Sequence, residues 1–110
     1  MFEGTVDLAI SEARKKLDFS SLKFPMYRKH VGDTIEVYRL DSIHKVISLR
    51  KDIVIGIGIT LNLPEDRFVW IHSFEKECTK EEFEDYFSFV MKTVALSIQL
   101  PKDGTDKESQ

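Results

Sequence analysis

The sequence predicts an α+β fold, in which an antiparallel β-meander of three to four strands is flanked by an N-terminal helix and a long C-terminal helix that pack on the sheet. Residues 34–75 contain alternating apolar and polar runs, separated by turns too short for a parallel crossover. Residues 80–100 carry apolar side chains at helical spacing behind a capping motif. With 42% hydrophobic and 32% charged residues, the 110-residue chain has the composition of a folded domain.

The first helix is predicted over residues 6–17, with Thr5 as its N-cap. Basic residues at positions 14–16 suit the negative C-terminal end of that helix. The next segment is less regular, and Pro25 restricts it to an edge strand over residues 23–30. The apolar stripe of the first helix consists of Val6, Ala9, Ile10, Ala13 and Leu17.

Four strands are predicted after residue 34, at 35–40, 43–49, 53–62 and 68–75. The closing helix is predicted over residues 80–100, with Thr79 as N-cap, Glu82 reaching back to it and Pro101 ending it. Residues 1–100 then form a single domain, and residues 101–110 form a disordered tail with no apolar side chain to bury. The main apolar stripe of the closing helix is Phe83, Tyr86, Phe87, Val90, Val94 and Ile98.

Strand alternation separates the predicted sheet into two unlike faces. If the turn at 50–52 sets Leu49 opposite Ile53, then Ile47 faces Ile55 on an aliphatic face that the closing helix covers. The other face has a floor of Gly56 and Gly58, lined by aromatic side chains from the fourth strand. That face is either a second small core roofed by the first helix or an open groove that receives a partner.

Two histidines offer the main candidate chemistry. In the predicted pairing, His44 and His72 lie in one row on either side of Gly58, a gap that could admit a metal ion or a phosphate. No third ligand stands at diagnostic spacing, and Val46 and Phe74 occupy the positions where a two-histidine phosphodiesterase requires Thr or Ser. The sequence therefore predicts no catalytic residue, no metal and no cofactor, and the domain is not expected to be an enzyme.

Charge and cysteine content limit the classes of partner. The net charge of -3 disfavours broad nucleic-acid binding, although basic clusters occur at 14–16, 28–30 and 50–51. The single cysteine, Cys78, cannot form an intramolecular disulfide, and residues 1–5 show no secretory pattern. We therefore expect a cytoplasmic protein that does not associate with membranes.

These observations favour a small non-enzymatic protein-binding module, such as an inhibitor, an immunity-type protein or an accessory protein. A second apolar stripe on the closing helix, at Phe89, Leu96 and Leu100, needs a neighbour, which is the first helix, a second subunit in a homodimer or another partner. The alternatives are a small-ligand or phosphoester-handling domain that uses His44 and His72, and a weak nucleic-acid binder. The residues assigned to partner binding are Phe68, Trp70, His72, Phe74 and His44 on the sheet, with Phe89 and Leu96 on the helix.

Overall fold

One antiparallel sheet organises residues 2–99, the part of the chain that this computed structural model describes. The predicted α+β class, with an initial helix, a meander and a long final helix, is confirmed. The tail at 101–110 lies outside the described residues. The elements are α1 (Phe2–Lys16), β1 (Met26–Val31), β2 (Ile35–Leu40), β3 (Val46–Lys51), β4 (Ile55–Thr60), α2 (Glu65–Phe74), β5 (Lys76–Glu77) and α3 (Lys80–Gln99).

The strand order is β4-β3-β2-β1-β5, so the meander runs in sequence order and β5 returns to pair with β1. The predicted edge strand near residues 23–30 is present as β1, but β5 places it inside the sheet. The first helix already begins at Phe2, so Thr5 lies within it and is not its N-cap. The second predicted strand begins only at Val46, which leaves His44 in the connection between β2 and β3.

The strand predicted at 68–75 is wrong, because this segment belongs to the helix α2. Its alternating aromatic residues imitate a strand pattern, yet its buried side chains, Phe68, Val69 and Ile71, fall on one side of a helix. Pro64 precedes the helix, and acidic residues occupy its first turn, where the helix dipole favours negative charge. The connection between the strands predicted at 53–62 and 68–75 therefore contains the start of a helix.

The pairing of β3 with β4 also differs from the prediction. Leu49 lies opposite Ile57 instead of Ile53, and Ile47 lies opposite Ile59 instead of Ile55. The turn therefore sits two residues later than predicted. The carboxylate of Asp52, within this turn, accepts a hydrogen bond from the Ile35 amide at 2.8 Å. A slip of four residues is even, so the predicted aliphatic face keeps the same side chains.

Each face of the sheet carries its own core. The closing helix α3 covers the aliphatic face, as predicted, and its cluster consists of Val37, Ile47, Leu49, Phe83, Tyr86 and Val90. The opposite face carries the cluster of Tyr38, Leu40, Val46, Leu63, Phe68, Val69 and Ile71, against which Ile10, Ala13 and Leu17 of the first-helix segment pack.

The start of α3 follows half of the predicted capping box. The Glu82 amide donates to the Thr79 hydroxyl at 3.0 Å. The Glu82 carboxylate does not reach back, because it pairs with Lys29 of β1 at 2.8 Å. This pair raises the pKa of Lys29. The first turn of α3 is thus held both by its own cap and by the sheet.

Candidate functional site

The edge strand β4 is the least protected part of the sheet. It pairs only with β3, and its other side carries no strand among residues 2–99. Residues 53–63 contain no charged side chain and no proline. Natural edge strands are usually short, charged or interrupted, because a bare edge pairs with other chains. The opposite edge follows that rule, since β5 is two residues long and consists of Lys76 and Glu77.

The apolar side chains of β4 point to the α3 face but extend beyond its cover. Ile57 is 40% exposed and Ile59 is 59% exposed. The sequence predicts these residues on the covered aliphatic face, because its pattern gives the face of a residue and not the distance of that residue from the sheet edge. The uncharged run at 53–63 was the available signal, since a strand at an open edge normally carries a charge.

The second stripe of α3 lies on the same side of the sheet. Phe89 and Leu96 are exposed, and residues 95–98 are all exposed. The Lys51 ammonium, at the end of β3, lies 5.3 Å from the Phe89 ring centre and 4.3 Å from that of Tyr86. The first helix contacts α2 and packs on the face of the sheet opposite α3, so it does not cover this stripe.

The exposed isoleucines of β4 and the exposed second stripe of α3 together form a region that we name the β4–α3 surface. Helix α3 contacts β4 directly, and Lys51, whose ammonium lies against Phe89, pairs with Ile55 of β4, so Phe89 lies near this edge of the sheet. Exposed apolar residues that cluster in this way mark interaction sites more often than scattered ones do. The β4–α3 surface consists of Ile55, Ile57, Ile59, Phe89 and Leu96.

Gly56 and Gly58 lie on one face of β4, as predicted, but no aromatic ring of the described residues covers them. Ser48 lies opposite Gly58 and Arg50 lies opposite Gly56. Arg50 is also paired with Glu36 at 3.4 Å. The result is a groove of about 260 Å³ lined by Glu36, Ser48, Arg50, Val54, Gly56, Ile57 and Gly58.

The predicted aromatic site moves to α2 and divides. Phe68 is fully buried in the core, where no partner reaches it. Trp70 and Phe74 pack against each other with ring centres 4.8 Å apart, and Phe74 is 45% exposed. Trp70 also lines a groove with Val6 and Ile10 of α1. The aromatic pair is therefore a surface feature of a helix and not the wall of a sheet groove.

The predicted row of two histidines is wrong. His44 is an exposed residue of the β2–β3 connection, and its carbonyl accepts from the Leu63 amide at 2.8 Å. His72 lies on α2 with its ring 5.8 Å from that of Phe68. Burial, together with the nearby Arg28, lowers the pKa of His72. Among the residues described, no three His, Cys, Asp or Glu side chains are grouped as a metal site requires.

Cys78 does not have the character of a nucleophile. A helix N-terminus can lower a thiol pKa, but here burial raises the pKa of Cys78 to about 11, and the neighbouring Glu82 adds to the effect. Its Sγ donates to the Thr79 carbonyl at 3.4 Å. At neutral pH this thiol is protonated and packs beside the α3 core.

Each basic cluster has at least one member that pairs with an acidic neighbour. A nucleic-acid surface needs cations that are free to meet phosphates. The pairs are Arg14 with Asp66, Lys29 with Glu82, His30 with Glu75, and Arg50 with Glu36.

No helix within residues 2–99 is long and apolar enough to cross a membrane. Comparisons of the chain with protein-family models, with curated proteins and with solved structures find no match.

Proposed function

We propose that this domain is a small non-enzymatic protein-binding module that binds its partner through the β4–α3 surface. The observation that carries the proposal is the uncharged edge of β4, which pairs with no other strand in the described part of the chain and has isoleucines exposed along it. A partner strand that pairs with such an edge gains main-chain hydrogen bonds, and apolar pockets select its side chains. An inhibitor, an immunity-type protein or an accessory protein could each act in this way.

The second stripe of α3 supports the same proposal. Phe89 and Leu96 extend the apolar region beyond the strand, so a partner would meet both a backbone edge and a helix face. Aromatic and large aliphatic side chains near the centre of an interface supply much of its binding energy. Phe89 and Leu96 remain from the predicted binding residues, whereas buried Phe68 does not.

The alternative functions have less support. A phosphoester-handling site relied on His44 and His72 sharing a row, and these residues belong to a loop and a helix. A nucleic-acid site relied on free basic clusters, and in each cluster one cation is paired with a carboxylate. Neither alternative explains why β4 lacks the charges that usually protect an edge.

Site-specific photo-crosslinking in the native cells tests the proposal. A benzophenone amino acid replaces Ile59 in one variant and Leu8 in a control, because Leu8 is equally apolar and 62% exposed but lies on α1. We expect a discrete protein adduct at Ile59 and none at Leu8. Equal adducts at both positions, or none at Ile59, would contradict the proposal.

A further inference from the structure

We infer that the occupant of the β4 edge is a second copy of this chain, paired antiparallel to β4 about a two-fold axis at Ile57. This inference rests on the proposed function, because it names the partner of the same surface. It goes further by fixing the pairing of individual residues. The same pairing also brings the α3 helices of the two copies to one side of the joined sheet.

The side chains around Ile57 repeat in reverse order on either side of it. In an antiparallel pair centred on this residue, Ile55 lies opposite Ile59 of the second copy, and Gly56 lies opposite Gly58. Just outside the strand, Val54 meets Thr60, which has nearly the same shape. A two-fold interface requires a surface that complements itself, and this pattern provides one. A foreign partner would place no such demand on the sequence.

The absence of charge makes self-pairing free of electrostatic cost. A copy of β4 meets its own side chains, so any charge near the axis would face a like charge, which is destabilising. Residues 53–63 contain none. This run is long enough to extend the pairing beyond Ile55–Thr60 at both ends.

The same rotation brings together the helices of the two copies. An axis perpendicular to the sheet leaves each face on its own side, so both α3 helices lie on one side of a continuous ten-stranded sheet. The exposed β4 isoleucines then form one row across the junction. Helix α3, which contacts β4 and carries the exposed Phe89 and Leu96, lies on the same side of the sheet as this row in both copies.

The other edge of the sheet stops the assembly at two copies. Strand β5 offers only Lys76 and Glu77 for pairing, and both are exposed. A strand of two charged residues is a poor template for another chain. Pairing through β4 therefore yields a closed dimer and does not continue into a fibre.

Cysteine crosslinking tests the predicted pairing. In a Cys78→Ala background, Ile57→Cys places two thiols opposite each other, about 5 Å apart at their β-carbons. In Ile53→Cys the two thiols are eight residues apart along the strands, roughly 27 Å. With a short bismaleimide, we expect Ile57→Cys to give a covalent dimer at least tenfold faster than Ile53→Cys. A mixture of Ile53→Cys and Leu61→Cys chains should recover a fast crosslink.

The measured masses separate failure of this inference from failure of the proposed function. We expect the wild-type chain to sediment as a dimer. Ile57→Lys, which places like charges across the axis, should sediment as a monomer and keep the circular dichroism spectrum of the folded protein. A monomeric wild type, or crosslinking at Ile53→Cys as fast as at Ile57→Cys, would overturn self-pairing. If the benzophenone at Ile59 then captured a different protein, the binding surface would stand and only its occupant would change.

Discussion

The Ser48 hydroxyl lies 3.0 Å from the point where a β-carbon on Gly58 would stand, across the pair formed by β3 and β4. Gly56, on the same face, has open space at the corresponding point. The two glycines of β4 therefore differ in what a side chain would meet. A side chain at position 58 would crowd the Ser48 hydroxyl. A side chain at position 56 would meet no atom of the described residues within 4 Å.

This difference predicts unequal responses to alanine. Gly56→Ala should stabilise the fold by about 0.5–1 kcal/mol, because alanine reduces the freedom of the unfolded chain. Gly58→Ala should be less stable than Gly56→Ala, because the Ser48 hydroxyl must rotate away. Adding Ser48→Ala should remove that difference in a double-mutant cycle measured by urea unfolding. Equal effects of the two alanines, without coupling to Ser48, would contradict the account.

The core position of Phe68 predicts a large loss of stability on truncation. Phe68→Ala should reduce the free energy of unfolding by about 3–5 kcal/mol, since it empties a fully buried ring site. Phe74→Ala is the matched control, because Phe74 is 45% exposed and loses mainly its contact with Trp70. That contact accounts for about 1 kcal/mol. Urea unfolding of both variants measures which one loses more stability. Similar losses would contradict a helix α2 that buries Phe68 and leaves Phe74 at the surface.

The cap of α3 predicts a smaller and chemically specific effect. Thr79→Ala should cost about 1 kcal/mol of stability, because the Glu82 amide loses its hydrogen-bond acceptor. Thr79→Ser keeps the hydroxyl and should remain close to the wild type. Thermal or urea unfolding distinguishes the two, and an equal loss in both would indicate that the methyl group, not the cap, matters.

The environment of His72 predicts a pH dependence. Burial holds its folded pKa below the usual 6.5, so the unfolded chain binds more protons between those two pKa values. The stability associated with neutral His72 is full above pH 6.5 and is lost as the pH falls through the folded pKa.

His72→Phe keeps a ring against Phe68 and removes the titration. Between about pH 7.5 and about pH 5.5, the wild type should lose more unfolding free energy than this variant, since carboxylate titrations are common to both. A loss in the variant equal to that of the wild type would assign the pH dependence to other groups.

The parts of the fold that local chemistry determines were predictable from the sequence. Alternation from Ile35 onward and the capping motif at Thr79 are each contained within a few residues, and both elements are present. The segment at 68–75 failed because Phe68, Trp70 and Phe74 satisfy a strand pattern and a helix pattern at once, and burial against the sheet decides between them.

The candidate site was harder to predict, because exposure depends on neighbours that are distant in sequence. Ile59 is apolar and lies on the predicted aliphatic face. Only the strand order shows that, among the described residues, no strand pairs with the outer side of β4. The turn between β3 and β4 likewise makes a contact that the local sequence does not show, the hydrogen bond between Asp52 and Ile35 at the start of β2. Conversely, Phe89 and Leu96 were identifiable as surplus because a helix on a sheet needs one apolar stripe.

The most direct test places a benzophenone at Leu96 and changes a second residue in the same chain. The β4–α3 surface predicts that Ile57→Lys lowers the adduct yield by at least about tenfold, since burying an unpaired ammonium at the interface costs several kcal/mol. Phe74→Lys, on the aromatic pair of α2, should leave the yield unchanged. Loss of the adduct with Phe74→Lys and its retention with Ile57→Lys would contradict the account and move the interface to α2.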